Sequence, residues 1–395
     1  MIFKKILIFP LVILILLNSE TYIKAETSET QKKIKVLAKA EIDAKGAILL
    51  DYNTGRVLWE KNSNTSLPMA STTKIMTAIL AIEKGDLKDE VTVTKKASLA
   101  PKTKMNLVKD EKISLENLLY ALMLESANDS AVAIAEHIGG SEENFCKLMT
   151  SKAKSLGAKN TLFETPNGLD KGNHHSTAYD MAVITRYALK NETFKKIIST
   201  KNISFKSSKK SYSLTNKNRL LSEYSGGIGV KTGFTGKAGH CFVGSAKRGD
   251  MCLISVVLAS GWGKKGKERK WIDTKKILNY GFENFCYETP LKKGEIREKS
   301  SVLKSDKKEI NLILKEGLTV CLKKDEEKIK IIKKVPKVLY APIKAGDTLG
   351  TYEIYIDNKL YDKIDLIAEK SIQKKTFLEY FIHILKIFSL KNLLS

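Results

Sequence analysis

The sequence predicts an α+β fold, an antiparallel sheet packed against a helical cluster and followed by a small all-β region. Two observations carry this. Strand-like segments stand at both ends of residues 46–260 with helical patterns between them, and after Pro290 short alternating stretches follow one another between turn signals. A length of 395 residues also exceeds one ordinary core and suggests two folded domains plus accessory segments.

Taken in order, residues 26–42 form a polar, lysine-rich lead-in. Gly46–Leu50, a glycine-containing turn at Asp51–Gly55 and Arg56–Trp59 predict strand, turn, strand. Lys74–Lys84 predicts a helix apolar on nearly every face, hence central and buried, with Gly85 as its stop. Leu115–Leu124 and Ala131–Ile138 predict two further helices. Thr177-Ala-Tyr-Asp180 opens another with a capping-box pattern. From Lys231 a strand is expected to continue through His240–Gly244, turn at Lys247–Asp250 and return as Met251–Ser260. Trp271–Tyr280 predicts a helix ended by Gly281. The strands Ile310–Leu314, Val320–Leu322, Ile329–Ile332 and Tyr352–Ile356 then make a small β-sandwich.

Both ends of the chain point to a membrane. Met1–Lys5 is positively charged, Ile6–Leu17 is an unbroken apolar run, and a polar stretch ends at Ala25. This is the layout of a secretory signal peptide over residues 1–25, too short in its apolar part for a comfortable span. The chain is therefore expected to be exported, at the outer face of the cytoplasmic membrane or in the cell wall, partly as a secreted form. Along residues 375–390, Lys375, Glu379, His383, Lys386 and Ser389 fall on one side of a helix, and Phe377, Phe381, Ile384 and Phe388 opposite. That pattern predicts an amphipathic helix in residues 369–395 lying on an anionic membrane surface. The domain boundaries expected are 26–288 for the larger domain and 289–368 for the β-sandwich. A formal charge of +24, from 68 basic and 44 acidic residues, favours anionic surroundings; export removes nucleic acid as a partner. Cysteines 146, 241, 252, 286 and 321 are too few and scattered for a disulfide framework and are expected buried and inert.

Three short words carry the chemistry: Ser71-Thr-Thr-Lys74, Ser126-Ala-Asn128 and Lys231-Thr232-Gly233. Ser71 stands where a loop containing Pro68 enters a helix, and Lys74 lies one turn further on the same face. A serine hydroxyl becomes nucleophilic when a base takes its proton, and lysine serves when it is neutral. Burial and a second cation, Lys231, favour that form. An isolated S-x-x-K is ordinarily a helix cap and a solvated lysine, but the stretch Met69–Ala81 is too apolar for a surface helix. In the break between helices, Ser126 offers a hydroxyl to relay a proton, and Asn128 an amide to hold a peptide carbonyl or the base itself. Lys231 and Thr232 offer a charge and a hydroxyl to a terminal carboxylate, and Gly233 lets substrate approach the strand closely.

In this order the three words resemble the signature of the penicillin-binding proteins and serine β-lactamases. Leu67–Lys74, Thr165–Leu169, His174–Met181, Lys231–Gly239 and Trp271–Phe282 most resemble the D-alanyl-D-alanine carboxypeptidases among them. The resemblance implies a serine enzyme that removes terminal D-alanine from peptidoglycan stem peptides and is acylated by β-lactams. It further implies catalytic Ser71, Lys74 and Ser126, with Asn128, Lys231, Thr232, Gly233 and Phe234 binding substrate. The backbone N–H groups of Ser71 and Phe234 would form the oxyanion hole. Ala127 and Asn167 stand where the family often has glycine and histidine. Where some members grip the substrate carboxylate with arginines, Lys217 and the pair Arg269-Lys270 are the nearest positions. His174 and His175 lack a carboxylate or cysteine at ligand spacing and are expected to be structural; neither metal nor cofactor is expected. The rivals are a β-lactamase, a DD-endopeptidase and a non-catalytic wall or membrane adaptor.

Overall fold

The computed structural model describes residues 36–305, 307–324, 329–382 and 385; the expected signal peptide, its cleavage point and the end of the terminal helix lie outside them. Five strands build the first sheet: β1 Gly46–Asp51, β2 Val57–Lys61, β3 Gly227–Thr235, β4 Gly239–Arg248 and β5 Met251–Leu258. They run antiparallel in the order β2-β1-β5-β4-β3, which leaves β3 at an edge.

Period-two alternation divides this sheet between two cores. Ile48, Leu50, Val243, Ile254 and Val256 face the helical cluster. Ala47, Leu49, Phe242, Leu253 and Val257 face the other way, against Trp271, Ile277 and Leu278 of a long helix. Burial on both faces explains why β1 and β5 are largely apolar, rather than apolar at alternate positions only. The cluster comprises α1 Lys74–Lys84, α2 Leu115–Tyr120, α3 Asn128–Gly139, α4 Glu142–Ser155, α5 Ala178–Ala188 and α6 Glu192–Ser199. Within α1 every residue from Lys74 to Ala81 is buried, as expected of a central helix.

Several elements differ from the sequence expectation. Residues 231–244 are two strands rather than one, because the chain reverses at 236–238. Thr235 Oγ1 accepts the Ala238 N–H at 3.0 Å, and Gly239 takes a positive φ of 68°. The strand β3 also begins at Gly227, so Lys231 lies in its middle. The helix expected over 271–280 extends from Gly263 to Asn284 (α7). Gly281 does not stop it; a Cβ there would come within 2.6 Å of Leu253 and 2.7 Å of Leu49, so glycine lets helix and sheet meet closely. The helix expected over 115–124 widens at Ala121–Glu125 into a π turn, which ends on Ser126 in the left-handed region at φ 65°. At Thr177 half the capping box forms: its hydroxyl accepts Asp180 N–H at 3.0 Å, but the Asp180 carboxylate turns to Asn160 N and Thr161 Oγ1. Four of the cysteines are buried, and Cys286 is half-buried. Burial raises the Cys146 and Cys241 thiols to about 12, which keeps them protonated and unreactive.

The β-rich part follows α7 directly. Its strands are β6 Phe285–Leu291, β7 Ile296–Leu303, β8 Glu309–Leu314, β9 Leu318–Lys323, β10 Ile329–Lys334, β11 Val338–Tyr340, β12 Thr348–Ile356 and β13 Lys359–Ala368. Six form one sheet in the order β10-β12-β13-β8-β7-β11, and β6 pairs with β9. Leu312, Leu314, Val320, Ile354 and Leu366 lie in their shared core. After Ala368, helical structure begins at 377. Thr376 and Glu379 form a reciprocal capping box: Thr376 Oγ1 accepts Glu379 N–H at 3.3 Å, and the Glu379 carboxylate accepts Thr376 N–H at 2.6 Å. Among the described residues no helix is long and apolar enough to cross a membrane.

One buried carboxylate joins the two parts. Asp51, at the end of β1, is fully buried and accepts bonds from Thr54 N, Thr54 Oγ1 and the Tyr287 hydroxyl on β6. Tyr287→Phe removes one donor from that carboxylate. It is expected to lower the unfolding free energy by about 1–3 kcal/mol, read from the urea midpoint at unchanged slope.

Candidate active site

Ser71 sits in a 3₁₀ turn, Ala70–Thr73, that runs straight into α1. Ala70 holds a positive φ of 48°, a costly conformation for an L-residue that the packing around it sustains. Two glycines allow that packing. A Cβ on Gly168 would come within 2.0 Å of the Ala70 carbonyl oxygen, and one on Gly233 within 2.9 Å of the Ser71 nitrogen. The turn is thus clasped between the 165–169 loop and the edge strand β3.

Lys74 opens α1 and is completely buried. Its Nζ lies 3.0 Å from Ser71 Oγ, 2.7 Å from Asn128 Oδ1 and 2.6 Å from the Asn167 carbonyl oxygen. A neutral amine has two N–H donors and one lone pair. With the donors on the two carbonyl-type oxygens, the lone pair is left for the Ser71 hydroxyl. Electrostatics agree with this count: burial, then the charge of Lys231, hold Lys74 well below the ordinary lysine range, and Asp129 opposes them only in part.

Lys231 is likewise buried, and its Nζ donates to the Thr232 carbonyl at 3.0 Å. Burial, Lys217 and Lys270 bring it down to about 7. Lys217 is half-exposed and paired with Glu125. Lys270 is buried and brought to about 8, chiefly by burial, whereas Arg269 turns outward to Asp43 at 2.9 Å. Of the arginine-like positions read from the sequence, Lys217 and Lys270 therefore join the Lys231 group and Arg269 does not.

The remaining residues divide. Asn128 is 3% exposed, and its Nδ2 donates to the Pro101 and Lys102 carbonyls, both at 3.1 Å. Its amide is therefore spent on Lys74 and on the protein backbone. Ser126, two residues earlier, is half-buried, and its hydroxyl makes no hydrogen bond to any described residue. Thr232 is half-buried; Phe234 is half-exposed, its ring 4.4 Å from that of His240.

Sequence reasoning passed over the 165–174 loop as a working part. Its contribution is largely a backbone one, through the Asn167 carbonyl, the Pro166 carbonyl that accepts Thr77 Oγ1 at 2.6 Å, and Gly168 at φ 85°. The signal present was the turn-forming Thr-Pro-Asn-Gly run. His174 locks this loop to the nucleophile turn. Thr73 Oγ1 donates to the Ala70 carbonyl at 2.8 Å, so it accepts from His174 Nε2, also at 2.8 Å, while His174 Nδ1 accepts the Glu164 N–H at 3.0 Å. These bonds need a neutral imidazole, and burial lowers His174 to about 4. A depressed histidine makes stability complete above the unfolded value near 6.5 and erodes it as pH falls towards 4. Between pH 7 and 4 this loss is expected to reach up to about 3 kcal/mol, and His174→Gln should flatten the slope in urea titrations.

A family model described as D-alanyl-D-alanine carboxypeptidase matches residues 30–261, and one described as penicillin-binding protein 5, C-terminal domain, matches 285–374. The chain is 36% identical over 346 residues to D-alanyl-D-alanine carboxypeptidase DacF of Bacillus subtilis, covering 86% of this chain and 88% of that protein. It is 35% identical over 364 residues to DacC of Escherichia coli, covering 85% and 86%. Among solved structures, penicillin binding protein 5 of Haemophilus influenzae superposes with a TM-score of 0.73 at 31% identity, over 86% of this chain and all of that one. A three-word serine site on this fold, matched along most of its length, makes this chain a member of the D-alanyl-D-alanine carboxypeptidase family.

Proposed function

We propose that this enzyme is a serine D-Ala-D-Ala carboxypeptidase that removes the terminal D-alanine from peptidoglycan stem pentapeptides through an acyl-enzyme on Ser71. The observation that carries the reading is the fully buried Lys74 amine, whose Nζ lies 3.0 Å from the Ser71 hydroxyl. Ser71 Oγ attacks the penultimate D-Ala carbonyl carbon while its proton passes to Lys74 Nζ. The backbone N–H groups of Ser71 and Phe234 take the oxyanion, each worth a few kcal/mol of barrier. The C–N bond then breaks, and the leaving amine receives a proton through Ser126. Water cleaves the ester and restores Ser71. Asn128 holds the base in place. Thr232, Lys231 and the neighbouring Lys217 and Lys270 receive the terminal carboxylate, with Gly233 leaving room along β3. β-Lactams, whose strained amide imitates the D-Ala-D-Ala bond, acylate the same oxygen.

The functional division follows the chain: 26–288 for catalysis, 289–368 for the β module and 369–395 for membrane attachment. The enzyme acts outside the cytoplasmic membrane after removal of residues 1–25, with the terminal helix on the lipid surface. A DD-endopeptidase would use the same acylation and differ in its products. The β-lactamase rival needs a carboxylate to activate the deacylating water. Glu164 accepts the Asn173 N–H and bonds no atom of the Ser71–Lys74 group, which supports slow deacylation. An adaptor would leave Ser71 unlabelled.

Ser71→Ala is expected to abolish both D-alanine release from a pentapeptide and covalent labelling by fluorescent penicillin; residual labelling would remove Ser71 from the mechanism. The pH profile has a defined sign. Lys74 must be neutral, so activity falls on acidification; Lys231 must be charged, so kcat/KM falls as pH rises through about 7. Bound carboxylate favours the charged form, so the same limb in kcat lies higher. Lys231→Arg keeps its charge and should move the alkaline limb of kcat/KM up by more than about one pH unit, and an unmoved limb would assign it to another group.

A further inference from the structure

We propose that the outward surface of β7 and β11 is a second membrane contact beside the terminal helix, selective for anionic lipid headgroups. This rests on the membrane reading of the helix and extends it to the sheet. The edge strand β11 pairs in parallel with β7, Ser301 opposite Val338 and Leu303 opposite Tyr340. Alternation sends Val302 into the core and leaves Leu303, Val338 and Tyr340 outward, at 49%, 43% and 61% exposure. Edge strands in water ordinarily carry charge rather than such side chains.

The terminal segment returns to the same place. Lys375 N–H donates to the Lys304 carbonyl at 2.8 Å, and Ser305 bridges Lys374 in antiparallel fashion. Helical structure then starts at 377, two residues beyond that bond, with Phe377 87%, Leu378 65% and Phe381 51% exposed. Backbone bonds thus hold the start of the helix close to the end of β7, and both carry exposed apolar side chains.

The rim of the β7 and β11 surface selects the occupant. Lys304 Nζ stands 5.5 Å from the Tyr340 ring centre, and Lys337, Lys374 and Lys375 flank it. None of these four ammonium groups meets a carboxylate among the described residues. Unpaired lysines around an apolar centre, with a tyrosine at the boundary, complement an anionic bilayer: the stems and rings enter the headgroup layer, and the charges meet phosphates.

The test uses the full chain, sedimented with phosphatidylglycerol–phosphatidylcholine vesicles and with pure phosphatidylcholine vesicles. The triple variant Leu303→Ser, Val338→Ser, Tyr340→Ser should partition at least about tenfold less onto the anionic vesicles, with pentapeptide hydrolysis unchanged as the control for folding. Separately, the indole introduced by Tyr340→Trp should shift its emission to the blue on the same vesicles and be quenched by brominated lipid. Phe377→Ser, Phe381→Ser tests the helix. If that pair releases the protein while the triple variant binds like the parent and the indole does not shift, the sheet contact is refuted and the helix reading stands. If the parent ignores anionic vesicles, both readings fall.

Discussion

The contact between the Lys74 amine and the Ser71 hydroxyl is the constraint around which the rest is arranged. A fully buried ammonium with no carboxylate hydrogen-bonded to it is costly, and here burial disfavours the charged form of Lys74. A disfavoured charge is what the proposed base requires, so the desolvation that would be a liability in an ordinary core serves the proposed reaction. Lys231 reinforces this from β3: two cations near each other cannot both stay charged cheaply, and the deeper one yields. In the proposed reaction the same lysine serves the substrate carboxylate, whose arrival favours its charged form.

Such an arrangement demands rigidity on every side. The nucleophile's turn is clasped by a loop and a strand that touch it at two glycines, Gly168 and Gly233, where any side chain would collide. His174 pins the loop, Asn128 ties α3 to the base, and Thr77 ties α1 back to Pro166. Behind β3, the sheet is packed on both faces, by the helical cluster and by α7. An edge strand backed in this way stays straight and keeps its outer side free for an extended peptide. The β-rich part is coupled to this sheet through Asp51 and Tyr287 rather than through the site itself.

Much of the fold was legible because the periodicities are strong. A helix apolar on nearly every face, such as α1, has to be central, and a strand as apolar as β5 has to be covered twice. The misreadings occur where one residue type serves two ends. Glycine marks stops in helices, yet Gly281 sits inside α7 because Leu49 and Leu253 need the space. The run from Lys231 to Gly244 reads as continuous β sequence, and its reversal depends on one threonine hydroxyl and one positive φ. At Thr177 the pattern of a capping box was present, but a loop backbone outcompeted the helix for Asp180.

By itself the sequence determined the chemical inventory and its order: a hydroxyl and an amine one helical turn apart, a hydroxyl and an amide in a helix break, and a lysine, threonine and glycine on a strand. Those are local relations, written in spacing. What only the tertiary structure decided is which groups meet and in what state. It put Asn128 on the base, brought Lys217 and Lys270 to Lys231 while sending Arg269 away, and recruited the Asn167 carbonyl. The reason is physical: burial and Coulomb interactions depend on distances between chain segments, and a backbone carbonyl is the same atom in every residue, so no pattern of side chains announces it.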